Sequence, residues 1–154
     1  MKKLGIQDDS ISIAQVARLA LQMPIKDVKY AILDVADLSD DPGLIPLLGN
    51  LCQDAEPLIA MYAARALARK GTPLLLGPFQ QCLRLIEMFY PEEALEALVE
   101  LNAVEGAGLL IDALSHQRID VREWVGQALI ALTGEDFGWD TALWEAWWRD
   151  RKAA

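Results

Sequence analysis

The stretch DVREWVGQALIALTG, residues 120–134, spaces its apolar side chains as one face of a helix does. The same spacing occurs 62 residues earlier, in DAEPLIAMYAARALARKG, residues 54–71. Four apolar positions of the later stretch correspond to four of the earlier one: Val121, Val125, Ala128 and Leu129 match Ile59, Ala63, Ala66 and Leu67. A face reused at a fixed distance indicates an internal repeat of helices.

The rest of the chain follows the same pattern, because its apolar spacing is helical nearly everywhere and strand-like alternation is almost absent. Helical hairpins begin near Ser10, Pro42, Pro73 and Glu105, a period of 31 or 32 residues. A two-helix unit cannot bury its apolar stripe alone, so neighbouring units must cover one another. We therefore predict one all-α domain over residues 1–154, with about four hairpins at 10–39, 42–71, 73–102 and 105–134 and a capping helix at 140–151.

Local patterns predict where these helices begin and which faces they bury. The first helix of the third hairpin should run from Thr72 to about Phe89. Asp120 with Glu123 should form a capping box at the start of a later helix. The first helix is expected to bury one set of side chains, Ile13, Val16, Ala17, Ala20 and Leu21. The second helix is expected to bury another, Val28, Ile32, Val35 and Leu38.

Two stretches resemble a known family. Residues 120–134, with an Asp-Val-Arg opening before small and apolar positions, resemble the second helix of a HEAT repeat, and residues 54–71 are similar but carry Ala60 where the arginine would stand. The tail LTGEDFGWDTALWEAWWRD, residues 132–150, resembles the segment that closes many bacterial HEAT-repeat proteins. The resemblance covers residues 43–73 and 105–150. It implies a right-handed α-α superhelix whose second helices line a concave surface.

The tail also contains four of the five tryptophans. Trp144, Trp147 and Trp148 fall on one face of a helix opened by Asp140, and the last unit of a repeat array needs such a cover for its apolar flank. We predict that these three side chains complete the core rather than bind a ligand. Trp139, which precedes the helix, is expected to stay partly exposed.

Composition limits the classes of partner. The chain is 53% hydrophobic and 24% charged, with a formal net charge of −9. This balance supports a packed core, while the acidity repels phosphate backbones and anionic membranes and favours a basic protein partner. Acidity that serves solubility alone is the other interpretation. The N-terminal MKKLGIQDDS lacks the apolar region of a signal peptide, so we expect a cytoplasmic protein. The resemblance of the tail implies that it is bacterial.

Few residues could support catalysis. His116 is the one histidine and is expected to be solvated at a helix end, while Cys52 and Cys82 lie in apolar helical patterns typical of buried, reduced thiols. A phosphate-binding loop and metal-ligand spacing are both missing from the sequence. We therefore expect neither an enzyme nor a bound cofactor or metal.

Charged residues on the second helices supply the candidate site. If these helices line a groove, acidic residues with arginines between them face a partner: Asp34, Asp37, Arg65, Arg69, Glu96, Glu100 and Arg122. An ordinary solvated face is the alternative, and Asp120 with Arg122 could instead link successive loops.

The sequence as a whole favours a non-catalytic module that binds a protein partner, as an inhibitor, an immunity protein or an adaptor. HEAT-like bilin lyases are an alternative, which would need the cluster of Trp124, His116 and Arg122 to hold a tetrapyrrole. HEAT-like DNA glycosylases are a third, which the charge of −9 disfavours because such enzymes need a basic groove.

Overall fold

The computed structural model describes residues 12–23, 26–87 and 89–153, and every regular element in these ranges is helical. Nine α-helices and one short 3₁₀ turn, Val104–Gly106, occur in the described chain. The helices, in order, are α1 Ile13–Ala20, α2 Lys26–Leu38, α3 Leu44–Leu51, α4 Pro57–Arg69, α5 Leu76–Leu83, α6 Phe89–Glu100, α7 Ala107–Ala113, α8 Ile119–Thr133 and α9 Thr141–Ala153. The predicted all-α class is thereby confirmed.

The helices pack in two rows. Helices α2, α4, α6 and α8 contact one another in that order, and we call them the even row. On the other side α1 contacts α3, and α5, α7 and α9 contact in sequence. The rows are joined by contacts of α3 with α4, α4 with α5, α5 with α6 and α7 with α8. The packing therefore presents one continuous face of even-row helices.

Two apolar clusters fill the space between the rows, and α4 contributes to both. The first cluster joins α1, α2 and α3 to one side of α4, through residues such as Ile59 and Ala63. The second joins α4 to the helices that follow it, through Leu58, Met61 and Ala64. α4 has its apolar residues on several sides because it lies at the centre of the packing.

The buried faces of α1 and α2 differ from the prediction. Ile13 and Val16 are 43% and 53% exposed, and Val35 and Leu38 are 42% and 91% exposed. The residues buried instead are Ala14 and Ala17 on α1 and Ile32, Leu33 and Ala36 on α2, with Ala20, Leu21 and Val28 half-buried. Small residues are selected here because α1 approaches the start of α3 closely: a Cβ added to Gly43 would lie 2.7 Å from the Cβ of Ala14.

α5 is shorter than predicted, ending at Leu83 instead of near Phe89. The backbone that follows bonds to the loop between α7 and α8 rather than continuing the helix. The ring Nε2 of His116 lies 2.9 Å from the Leu85 oxygen, and Nη1 of Arg118 donates to the Ile86 oxygen at 3.3 Å. These bonds satisfy carbonyl groups that a longer helix would have used.

The start of α8 also differs from the prediction. Arg118 occupies the position before the helix and no side chain caps it, so the predicted capping box of Asp120 and Glu123 is wrong. Asp120 accepts instead from both Nε and Nη2 of Arg118, at 3.1 and 2.7 Å. This pairing raises the pKa of Arg118 and lowers the pKa of Asp120. Asp120 therefore bonds within its own loop, whereas Arg122 lies over Trp139 of the following loop.

The C-terminal helix covers α7, with Trp144 fully buried and Trp147 and Trp148 half-buried. Gly134 ends α8 in the left-handed conformation at φ 77°, and Asp140 accepts from the Leu143 amide to open α9. A Cβ at Gly108 would lie 2.9 Å from the indole nitrogen of Trp148, so glycine permits this approach. The predicted core role is confirmed for Trp144, and Trp139 is 50% exposed as expected.

Candidate functional site

Four of the predicted site residues meet on the even row and pair with one another. Asp37 of α2, Arg65 and Arg69 of α4, and Glu100 of α6 form what we call the central ion cluster. Arg69 bonds Asp37 at 2.9 Å and also pairs with Glu100, while Arg65 lies 4.0 Å from each carboxylate. Two cations thus face two anions across three helices. Their charges compensate locally, which leaves this part of the surface with little net attraction for a charged partner.

Aromatic residues extend the cluster along the row. Tyr62 of α4 packs edge-on against Tyr30 of α2, and the guanidinium carbon of Arg65 lies 4.6 Å from the Tyr62 ring centre. The Tyr62 hydroxyl donates to Glu93 of α6 at 2.5 Å, and burial together with this bond raises the pKa of Tyr62. These contacts hold neighbouring even-row helices in register, so the cluster is better suited to fixing the row than to binding a ligand.

An apolar groove of about 490 Å³ lies between α6 and α8, and we call it the α6–α8 groove. It is lined by Leu95, Val99, Trp124, Ala128 and Ala131, together with the polar residues Glu92, Glu96 and Gln127. Glu92 and Glu96 are exposed, and among the described residues neither takes part in an ion pair. The groove therefore combines an apolar floor with uncompensated carboxylates at its edge.

A second groove, of about 390 Å³, lies between α8 and the loop before α9, and we call it the loop groove. Its lining residues are Glu123, Gly126, Gln127, Ile130, Asp136, Gly138 and Trp139. Arg122 does not lie between the predicted acidic residues, because its guanidinium carbon is 5.5 Å from the centre of the Trp139 ring. The predicted arginine thus supports an aromatic residue at the edge of this groove.

The remaining predicted site residues, Asp34 and Glu96, do not meet in a common contact. Asp34 is exposed on α2, away from the residues that line either groove, whereas Glu96 belongs to the α6–α8 groove. The seven predicted residues therefore separate into the central ion cluster, one groove acid, one arginine behind Trp139 and one isolated carboxylate.

The sequence reasoning missed the apolar part of the site. Val99 of α6 and Trp124 of α8 both line the α6–α8 groove, together with the small side chains of Ala128 and Ala131. The spacing of Trp124, Ala128 and Ala131 places them on one stripe of α8, which was a usable signal. The sequence of α8 alone does not show that this stripe faces α6, because that depends on how the two helices pack.

The candidate catalytic side chains are occupied by structural contacts. Cys82 is fully buried, its Sγ lies 3.4 Å from the Pro57 oxygen, and burial raises its pKa to about 12. Cys52 is half-buried rather than buried as predicted, and burial raises its pKa as well. In the described part of the chain no group of three or more His, Cys, Asp or Glu residues could hold a metal ion.

His116 is half-buried and bonded rather than solvated as predicted. Its Nδ1 accepts from the Arg118 amide at 3.0 Å while its Nε2 faces the Leu85 oxygen, which corresponds to a neutral ring protonated at Nε2. It also lines a cavity of about 560 Å³ beside α5, α7 and α9. Trp124 lines the α6–α8 groove instead, so the cluster proposed for a tetrapyrrole is divided between two cavities.

None of the described helices has the length and apolar character required to cross a membrane. Comparison of the chain with protein-family models, with curated proteins and with solved structures gave no significant match.

Proposed function

We propose that this chain is a non-catalytic protein-interaction module, a HEAT-like right-handed superhelix of four hairpins and a capping helix that binds a basic protein partner on its even row. It acts in this proposal as an inhibitor, an immunity protein or an adaptor. The order of helix contacts supports the repeat arrangement, because hairpin partners α3–α4, α5–α6 and α7–α8 pack together while even helices contact in sequence.

The observation that carries the proposal is the character of the even-row surface around α6 and α8. A groove lined by Val99, Trp124 and Ala131, with the uncompensated Glu92 and Glu96 at its edge, is costly to leave open to water. A contiguous apolar surface with a polar rim is typical of a protein-binding site. The net charge of −9 adds a long-range attraction for a basic partner.

Site-specific photo-crosslinking tests this function. A photoreactive amino acid is placed at Gln127, which is exposed between the two grooves, and in a matched control at Asn50, which is exposed on α3 of the other row. In host cells, Gln127 should crosslink one protein with a high isoelectric point, whereas Asn50 should not. The purified pair should then bind in calorimetry, more weakly as salt rises.

The proposal fails if Gln127 yields no crosslinked protein, or if Asn50 captures the same protein equally well. It also fails if the purified pair does not bind. An acidic partner whose affinity increases with salt would contradict the electrostatic part of the proposal.

A further inference from the structure

The two grooves lie on either side of the exposed ridge of α8. Trp124, Ala128 and Ala131 face the α6–α8 groove, Glu123 and Ile130 face the loop groove, and Gln127 borders both. Gln127 lines both grooves and a helix with its side chains is about 10–12 Å wide, so the centres of the grooves lie within about 10 Å of each other. One short segment of a partner can therefore reach both grooves while it crosses α8.

Negative charge is concentrated at this pair of grooves. Glu92 and Glu96 border the α6–α8 groove, while Glu123 and Asp136 border the loop groove, and all four are exposed. Within the described chain, none of the lining residues of either groove is a lysine or arginine. Arg122, whose guanidinium carbon lies 5.5 Å from the Trp139 ring centre, is the cation next to these four carboxylates, so the pair of grooves keeps a net negative charge. The central ion cluster, by contrast, compensates its own charges, so a net attraction for cations remains across α8.

The loop groove is held in shape before any partner arrives. The Gly138 amide donates to Asp136 at 3.0 Å, and the Gly138 oxygen accepts from the buried indole of Trp144 at 2.9 Å. Gly138 itself has a φ of 58°, which favours glycine. Trp139 follows Gly138 in this loop, is 50% exposed and has the Arg122 guanidinium carbon 5.5 Å from its ring centre. A preorganised aromatic residue loses little conformational entropy on binding, which favours its use as a contact.

We propose that the two grooves form one bipartite site for a short basic peptide segment of the partner. Two apolar side chains of the segment, about 10 Å apart, occupy the α6–α8 groove and the loop groove, and lysine or arginine side chains between and beside them meet the four carboxylates. This inference rests on the proposed function and names the chemistry that its partner must present.

A peptide selection tests the site with a defined probe. Random 12-residue peptides displayed on phage are selected on the full chain, and a synthetic peptide of the enriched consensus is measured by fluorescence polarisation. We expect an excess of lysine and arginine and two apolar positions at a constant spacing. Trp124→Ala and Trp139→Ala should each weaken binding about 30-fold, as removal of a central aromatic contact does.

Three double variants with equal changes in charge separate the grooves from general acidity. Glu92→Gln with Glu96→Gln alters one groove, and Glu123→Gln with Asp136→Asn alters the other; asparagine keeps the oxygen that accepts from Gly138. Each should weaken the peptide about tenfold. The control, Asp34→Asn with Asp150→Asn, removes two exposed carboxylates outside both grooves and should change affinity less than about twofold.

The outcomes are distinct. If only one of the two groove variants weakens peptide binding, the bipartite site is overturned. If the control variant weakens binding as much as the groove variants, the effect is one of net charge and the site is overturned as well. Failure to enrich any basic peptide also overturns the inference. Circular dichroism melting of each variant shows that it is folded. A Gln127 crosslink to a folded partner with no peptide binding would refute this site but keep the proposed function. Peptide binding at the grooves without any protein partner would keep the site but refute the proposed function.

Discussion

Replacement of Trp144 by alanine should remove much of the stability of the C-terminal part of the fold. Its side chain is fully buried, its ring packs edge-on against Phe137 at 4.8 Å and Trp147 at 6.2 Å, and its Nε1 donates to the Gly138 oxygen at 2.9 Å. Burial of 150–250 Å² at about 25 cal/mol per Å² corresponds to about 4–6 kcal/mol of transfer free energy. Alanine keeps part of this burial, and replacement of a buried tryptophan by alanine typically costs about 3–5 kcal/mol, which is the loss that we expect.

Two further variants test how that loss is divided. Trp144→Phe keeps most of the ring contacts but cannot donate to Gly138, so it should lose about 1–2 kcal/mol. Trp139→Ala removes a side chain that is 50% exposed, so it should lose at most about half as much free energy of unfolding as Trp144→Ala. Urea denaturation followed by far-ultraviolet circular dichroism measures the free energy of unfolding of all three variants without dependence on tryptophan emission. In a separate thermal denaturation, Trp144→Ala should lower the melting temperature by about 6–20 °C.

The reasoning is refuted if Trp144→Ala is as stable as Trp139→Ala, because α9 would then not complete the core. Trp147→Ala should fall between the two, since its side chain is half-buried and stacks on Trp148.

Three further predictions concern the other contacts of the site. Arg69→Ala breaks the central ion cluster and should destabilise the fold by about 0.4–2 kcal/mol in thermal denaturation at low salt; a loss that is unchanged in about 1 M salt would mean that packing, not charge, is responsible. The raised pKa of Cys82 stabilises the protein below the ordinary thiol value of 9.0, and this stability is lost as pH rises towards about 12. Between pH 7 and 10 the parent chain should lose about 1.4 kcal/mol more than Cys82→Ala in urea denaturation, and equal losses would contradict the burial of the thiol. His116→Ala removes one hydrogen bond to Leu85 of another loop and one to the Arg118 amide of its own loop, and should cost about 1–3 kcal/mol, whereas Gln117→Ala on the exposed neighbouring position should cost little; equal costs would show that the two bonds do not contribute.

The sequence placed the candidate site residues on helices but not their contacts. The residues Asp37, Arg65, Arg69 and Glu100 lie on the helices predicted to carry the site, because helical spacing and repeat position are local properties. Their pairing with one another was not predictable, since it depends on which turns of α2, α4 and α6 lie opposite each other. The groove beside Trp124 was missed for the same reason.

The sequence by itself determined that the chain is helical, roughly where most helices begin and end, and that Trp144 belongs to the core. These properties depend on periodicity, proline position and glycine ends within a few residues. Only the tertiary structure decided which stripe each helix buries: Ala14 is covered while Ile13 and Val16 remain exposed, because α1 lies so close to Gly43 that a larger side chain would not fit. Hydrophobicity ranks the side chains of one helix, but the distance to its neighbour selects among them.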